Sequence, residues 1–194
     1  MGWLFGWYDR STMAEHLLKG EETESTKLTK IANAFTGNNL WVVWERTNKK
    51  QNETYRFIVL YLLRRQGKAE DGPNWGYKDV DESMGPCEVN CPLALLKLAP
   101  LTPTTAKYEY AVRWRKDVEE YWNHRHAAAE YVKTMKNGQR FTAHGREYIF
   151  RGLYRRDYVL AYRAEGNGPL SLRGPFKIPK SAIVIDTAKE TVPV

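Results

Sequence analysis

Four charged residues within five positions form the clearest candidate for metal or acid–base chemistry. The segment from 78 to 82 reads Lys-Asp-Val-Asp-Glu. Closely spaced carboxylate oxygens are the ligands that Mg²⁺ and Ca²⁺ prefer, and Lys78 beside them would stabilise a developing negative charge. The spacing does not match an EF-hand loop. A metal-dependent phosphodiesterase that uses Asp79, Asp81 and Glu82 is therefore one hypothesis for this chain.

The alternative for the same segment is structural. Short acidic side chains commonly accept hydrogen bonds from backbone N–H groups that follow them. In this interpretation Tyr77 to Glu82 belong to a loop whose carboxylates cap the next backbone turn. The sequence shows no Ser-His-Asp or Cys-His arrangement and no glycine-rich phosphate loop. We therefore prefer the structural interpretation, and we assign no catalytic residue, metal ligand or cofactor.

A second group of residues is suited to binding a polyanion. Between positions 136 and 180, ten basic side chains stand against three acidic ones, an excess of seven that equals the net charge of +7 of the whole chain. Such a local excess is typical of polyanion-binding surfaces. Seven of the ten are arginines, which contact phosphate with two nitrogens and stack on bases. The predicted binding residues of this basic module are Arg140, Arg146, Arg151, Arg155, Arg156, Arg163, Arg173, Lys177 and Lys180.

Aromatic residues alternate with these basic residues and suggest stacking platforms for bases. They are Tyr148, Phe150, Tyr154, Tyr158 and Tyr162. Two other interpretations stay open at this point: the module binds an acidic host protein, or its basic side chains are merely solvated while the aromatic residues fill a core. The leading function is non-catalytic binding of nucleic acid.

The elements that position these residues are read from hydrophobic periodicity. An apolar N-terminal stretch predicts an edge strand tucked into the core, and Ser11 is the expected N-cap of a helix that ends before Gly20. Three strands are then expected, at about 27–35, 40–46 and 55–63, as an antiparallel meander covered on one face by the helix.

The second half of the chain predicts helices and then short strands. Pro92 favours a short helix that starts at Leu93, and a long helix is expected from about 104 to 133. Five short strands after Gln139 predict a small closed barrel of the SH3 or OB type. The fold class is thus α+β, with an SH3-like barrel at the C-terminal end, and the expected domains are 1–103, a connecting helix 104–135, the barrel 136–188 and a tail 189–194.

Composition limits the protein class. With 42% hydrophobic and 13% aromatic residues the chain is expected to fold rather than to be disordered. No apolar run approaches the ~18 residues of a membrane span, and the N-terminus lacks the basic leader of a signal peptide. Cys87 and Cys91 are too few for a structural zinc site and are expected to be reduced thiols. A cytoplasmic protein with no membrane association is the expectation.

Several of these residues also resemble a protein family. The start Met-Gly-Trp, the block from Gly76 to Pro86 (Gly-Tyr-Lys-Asp-Val-Asp-Glu-Ser-Met-Gly-Pro), Cys91-Pro92 and Trp114-Arg115 look like an uncharacterised family of proteins from bacteriophages, plasmids and their bacterial hosts. The resemblance covers roughly residues 1 to 125 and does not account for the basic module. It implies a mobile-element accessory protein of the bacterial host cell, and such proteins often act on DNA or on host defence. Inhibition of a host defence protein, of the anti-CRISPR or anti-restriction type, is therefore a further hypothesis.

Overall fold

The computed structural model describes residues 2–67, 72–101, 108–164 and 175–185. The chain divides into two compact units, Met1–Tyr121 and Trp122–Val194. The end of the predicted first domain at 103 and the predicted tail at 189–194 lie outside the described residues. The architecture is a mixture of helices and antiparallel strands, which agrees with the α+β prediction at the level of class.

The first unit is built around a six-stranded sheet with the order β1-β6-β5-β4-β3-β2, in which every pair of neighbours is antiparallel. The strands are β1 (Leu4–Trp7), β2 (Glu21–Glu22), β3 (Thr26–Thr36), β4 (Asn39–Asn48), β5 (Glu53–Arg65) and β6 (Trp75–Asp81). The helices are α1 (Arg10–Leu17), α2 (Leu93–Leu98) and α3 (Tyr108–Thr134), of which the residues up to Tyr121 belong to this unit. The predicted meander is confirmed in β3, β4 and β5.

Strand β4 lies at the centre of the core because both faces of the sheet are covered. Its residues from Asn39 to Trp44 are all buried, and such continuous burial requires packing on both sides. On one face Met13, Ala14 and Leu17 of α1 belong to the same apolar cluster as Val42. On the other face the Trp41 ring is stacked on Trp114 of α3, with their centroids 5.7 Å apart.

Two local predictions for the N-terminal region are wrong. The N-cap of α1 is Asp9, whose carboxylate accepts a hydrogen bond from the Thr12 N–H at 2.8 Å, so the helix starts before the predicted cap at Ser11. Strand β1 is an edge strand as expected, but it is not tucked into the core. Leu4 and Phe5 are 55% and 37% exposed.

The segment from Tyr77 to Glu82, which we call the acidic block, is not a loop. Residues Trp75–Asp81 form β6, which pairs with β5 on one side and with β1 on the other. Gly76 permits the pairing with β1, since a Cβ atom there would lie 2.4 Å from the Leu4 carbonyl oxygen. The strand ends at Asp81, and a 3₁₀ turn follows at Glu82–Met84. Three of the four charged residues of the block are therefore placed by strand pairing.

The second unit consists of the remainder of α3 and a four-stranded antiparallel sheet with the order β10-β9-β8-β7. Its strands are β7 (Arg140–Ala143), β8 (Arg146–Tyr154), β9 (Tyr158–Arg163) and β10 (Phe176–Pro179). One face of the sheet packs against Val132, near the end of α3, and against Met135, which follows the helix. The long helix predicted from 104 is found from Tyr108, and residues 104–107 lie outside the described part.

The fifth strand expected after β10 is reduced to one bridge. The chain turns through a 3₁₀ segment at Lys180–Ala182 after Pro179, and few residues of the described chain then remain for pairing. Ile183 bridges Ala143 of β7, and the Val184 N–H donates to the Thr142 carbonyl at 2.8 Å. The segment after β10 thus contacts β7, which is the other edge strand of this sheet.

Candidate nucleic-acid interface

The C-terminal sheet has a core face and an outer face, and strand register separates the residues of each. Phe150 on β8 and Ala161 on β9 are paired and buried in the core face. The cross-strand residue pairs next to this one have their side chains on the other side of the sheet. Register places Tyr154 opposite Tyr158, Gly152 opposite Leu160 opposite Lys177, and Arg140 opposite Ile149 opposite Tyr162. We call the side that carries these three rows the outer face.

Only some of the predicted stacking residues lie on this outer face. Tyr148 and Phe150 are 7% and 5% exposed and belong to the apolar core of the unit, so the interpretation of these two rings as platforms is wrong. Tyr154, Tyr158 and Tyr162 lie on the outer face, and Tyr158 is 40% exposed. The module therefore divides its aromatic residues between a core and a partly exposed surface.

Three basic side chains contact the outer-face tyrosines. The Lys177 ammonium lies 4.8 Å from the centroid of the Tyr154 ring, and the Arg155 guanidinium lies 5.4 Å from the same centroid. The Arg151 guanidinium lies 5.2 Å from the centroid of the Tyr162 ring and donates to the Asn137 side-chain oxygen at 3.3 Å. These contacts are of the cation–π type, which leaves the positive charge uncompensated.

Two of the three acidic residues of the module lie in the described part of the chain, and both are paired. Glu147 accepts a hydrogen bond from Arg140 at 2.6 Å, and Asp157 accepts one from Arg125 of α3 at 2.8 Å. Both pairs are exposed, and such pairs contribute little to stability. Because these two carboxylates pair with Arg125 and Arg140, they do not neutralise the cations near the tyrosines. Within the described residues, Arg151, Arg155 and Lys177 have no carboxylate within salt-bridge distance.

The remaining predicted binding residues are not gathered on the outer face. Arg146 and Arg163 occupy core-side register positions at the end of the sheet, where both are exposed. Arg156 is exposed in the turn between β8 and β9, and Lys180 is half-buried in the 3₁₀ turn. Arg173 lies outside the described residues. The structure thus brings together Arg140, Arg151, Arg155 and Lys177.

The acidic block of the first unit is organised around a buried ion pair. Glu82 is 1% exposed, its Oε2 lies 2.6 Å from Nη2 of Arg115, and its Oε1 accepts the Ile58 N–H at 3.0 Å. Burial raises the pKa of Glu82 and the Arg115 guanidinium opposes that rise. Sequence reasoning missed this pair, because an arginine 33 residues away from the motif glutamate gives no local signal.

The other residues of the block have structural contacts or lie on the strand. Asp81 accepts a hydrogen bond from the Ser83 N–H at 2.8 Å and caps the 3₁₀ turn, as the structural interpretation predicted. The Tyr77 ring packs between Trp7 and Tyr61, and burial followed by the Asp79 charge raises its pKa. Lys78 lies on β6 opposite Leu62. Within the described part of the chain, no group of three or more His, Cys, Asp or Glu side chains is placed to hold a metal ion.

The two cysteines differ in their surroundings. Cys87 is exposed and Cys91 is buried, and they do not form a disulfide. Burial, followed by the nearby Glu82 carboxylate, raises the pKa of the Cys91 thiol to about 12. A thiol with such a pKa is protonated at neutral pH and is a poor nucleophile. Cys91 is 0% exposed and is part of the core of the first unit.

The comparisons with known proteins do not identify the chain. No protein-family model, no curated protein and no solved structure matches it. Among the described residues, none of the helices has the length and apolar character that crossing a membrane requires. The functional interpretation therefore depends on the geometry of the two units.

Proposed function

We propose that this chain is a non-catalytic nucleic-acid-binding protein whose C-terminal unit carries the binding surface. We further propose that this unit is a small barrel of the SH3-like class. The bridge between Ile183 and Ala143 supports the barrel, because it brings the segment after β10 to β7 at the opposite edge of the sheet. Closure of this kind is how small antiparallel barrels remove their free edges.

The observation that carries the proposal is the composition of the outer face. Three tyrosines share this face with Arg151, Arg155 and Lys177, whose charges are not compensated by a carboxylate among the described residues. Uncompensated cations attract phosphates and release their counterions. Aromatic rings among them offer surfaces to bases.

The proposal is tested by the salt dependence of oligonucleotide binding, measured by fluorescence anisotropy between about 50 and 200 mM salt. The variant combines Arg151→Gln, Arg155→Gln and Lys177→Gln, since glutamine keeps much of each aliphatic stem. For each phosphate that the variant no longer neutralises, the slope of log K against log salt is expected to become shallower by about 0.7–0.9. Affinity at low salt is expected to fall at least about tenfold.

A matched control changes the net charge equally in the first unit. Lys27→Gln, Lys49→Gln and Lys116→Gln remove cations that pair with Glu22 or Glu120, and this variant is expected to bind like the unmodified protein. Equal losses of affinity in the two triple variants would contradict a localised surface. Absence of any shift of DNA or RNA at low salt would end the nucleic-acid proposal.

Binding and cleavage of the same oligonucleotides, measured with and without a divalent metal, distinguish the phosphodiesterase alternative. Asp81 is engaged in capping the turn after β6, so Asp81→Ala is expected to leave oligonucleotide binding unchanged. Metal-dependent cleavage that Asp81→Ala abolishes would instead favour the enzyme. The proposed setting, a phage or plasmid accessory protein acting in the cytoplasm of a bacterial host, rests on the resemblance of the Gly76–Pro86 block. Inhibition of a host defence protein becomes the preferred proposal if the purified chain binds no nucleic acid.

A further inference from the structure

We infer that the outer face of the C-terminal sheet binds single-stranded nucleic acid, with unpaired bases stacked on Tyr154, Tyr158 and Tyr162. This inference rests on the proposed function and names its substrate class. Three features of the outer face support it: the spacing of its tyrosines, the side of the sheet that they occupy, and the position of its cations.

The tyrosines form two stacking positions on one surface. Tyr154 and Tyr158 are directly opposite each other on β8 and β9, which places their Cβ atoms about 5 Å apart. Tyr162 lies four residues further along β9, about 13 Å from Tyr158. That distance corresponds to roughly four steps of 3.4 Å along one strand of nucleic acid, so a short strand reaches both positions.

Between these two positions the outer face lacks a side chain on β8. Leu160 lies between Tyr158 and Tyr162 on β9, and the residue opposite it on β8 is Gly152, which has no side chain. A β-bulge between Phe150 and Gly152 shifts the alternation of β8, so that Tyr154 joins the outer face rather than the core. The result is a continuous strip of aromatic and aliphatic groups without a tall side chain on β8 at its centre.

The outer-face tyrosines are not needed to fill the core of their own unit. Their strand neighbours Val159 and Ala161 are fully buried on the other side of the sheet, and none of the three tyrosines belongs to the core cluster. Tyr158 is 40% exposed. A large ring left open to water retains apolar area that a stacked base would cover.

Cations stand at both ends of the strip. Lys177 and Arg155 lie within 4.8 and 5.4 Å of the Tyr154 ring centroid, and Arg151 lies 5.2 Å from that of Tyr162. Stacking rings with adjacent cations are the arrangement by which proteins hold bases and phosphates of an unpaired strand together. In a duplex the base faces are already stacked on each other, so the rings would have nothing to contact.

The test compares four fluorescent probes of equal length in anisotropy titrations at one salt concentration: single-stranded DNA, single-stranded RNA, duplex DNA and an abasic single strand. The abasic strand retains the phosphates and lacks the bases. We expect at least about fivefold tighter binding of a natural single strand than of the abasic strand. The DNA and RNA probes show whether the 2′-hydroxyl of RNA changes the affinity for the single strand.

Variants at Tyr158 separate stacking from folding. Tyr158→Leu is expected to weaken binding of the natural single strand at least about fivefold and to leave the abasic strand unaffected, whereas Tyr158→Phe keeps the ring and the affinity. Tyr110→Leu, at a tyrosine that is 58% exposed on α3, is the matched control and is expected to be silent. Thermal melting of each variant checks that the protein is folded.

The outcomes distinguish this inference from the proposed function. If the abasic strand or the duplex binds as tightly as the natural single strand, stacking is overturned while nucleic-acid binding stands. If Tyr158→Leu and Tyr158→Phe lose equal affinity, the ring is not the stacking group and the inference fails. If none of the probes binds, the proposed function and the inference fail together.

Discussion

Replacing Glu82 with alanine is expected to destabilise the first unit by about 3–5 kcal/mol. The Glu82 side chain is almost fully buried and its Oε2 lies 2.6 Å from Nη2 and 2.7 Å from Nε of Arg115. Its other oxygen accepts the Ile58 N–H of β5. Alanine removes both acceptors at once. The Arg115 guanidinium, on a side chain that is only 12% exposed, then lacks its carboxylate partner.

The expected loss of stability has two contributions, because the Glu82 carboxylate both pairs with Arg115 and accepts the Ile58 N–H. Removing one partner of a buried ion pair costs about 3–5 kcal/mol, and an unsatisfied buried N–H costs about 1–3 kcal/mol. Because the two costs arise at neighbouring groups they are not additive, and we take the larger as the expectation. At 2–4 °C per kcal/mol, the Tm is expected to fall by roughly 6–20 °C.

Urea denaturation followed by tryptophan fluorescence measures the change. Glu120→Ala is the matched control, because Glu120 forms an exposed pair with Lys116 on α3 with its side chain 65% exposed, and its loss is expected to cost under about 0.5 kcal/mol. Adding Arg115→Met to Glu82→Ala should recover part of the lost stability, since it removes the unpaired charge. Equal costs for Glu82→Ala and Glu120→Ala would refute the buried pair.

Two further predictions concern the same unit. Iodoacetamide is expected to label the exposed Cys87 at pH 8 and to leave Cys91 unmodified in the folded protein, because Cys91 is buried and its pKa is raised to about 12. Mass spectrometry measures the labelling of both cysteines, and equal labelling would contradict the burial of Cys91. Gly76→Ala is expected to disrupt the pairing of β1, since the new Cβ would lie 2.4 Å from the Leu4 carbonyl oxygen and 2.5 Å from Cδ1 of Phe5. Hydrogen exchange of the β1 amides measures this disruption, and unchanged protection would count against the register.

The fold was predictable where local pattern and tertiary environment agree. Strands β3, β4 and β5 carry β-branched and aromatic residues between polar turns, and they were expected at nearly their observed positions. Strand β6 was not, because Asp79 and Asp81 lower its strand propensity. Its pairing with β5 and β1 supplies the hydrogen bonds that its composition does not predict. The Asp9 cap was missed because Ser11 offers an equally good cap two residues later.

The candidate interface was predictable in composition and not in arrangement. The sequence shows that basic and aromatic residues alternate after Lys136, and the structure divides them between two faces. Counting alternate residues from Phe150 would assign Tyr154 to the core, but the bulge before Gly152 reverses the alternation and moves Tyr154 to the outer face. A bulge depends on the partner strand as much as on its own residues, which is why the sequence alone does not locate it.

Three residues in the sequence blocks that suggested a family resemblance are buried, whereas the cations of the proposed interface are exposed. Glu82, Trp114 and Cys91 are 1%, 2% and 0% exposed, so their identities are explained by an ion pair, a stacked ring and a packed thiol. Buried residues of this kind stabilise the first unit, and their side chains are not accessible at its surface. The outer-face cations and Tyr158 are exposed, and the cations have a net charge that packing does not require. Substitutions of Glu82, Trp114 or Cys91 are therefore expected to change stability first, whereas the proposed binding of nucleic acid is expected to change with the outer-face residues.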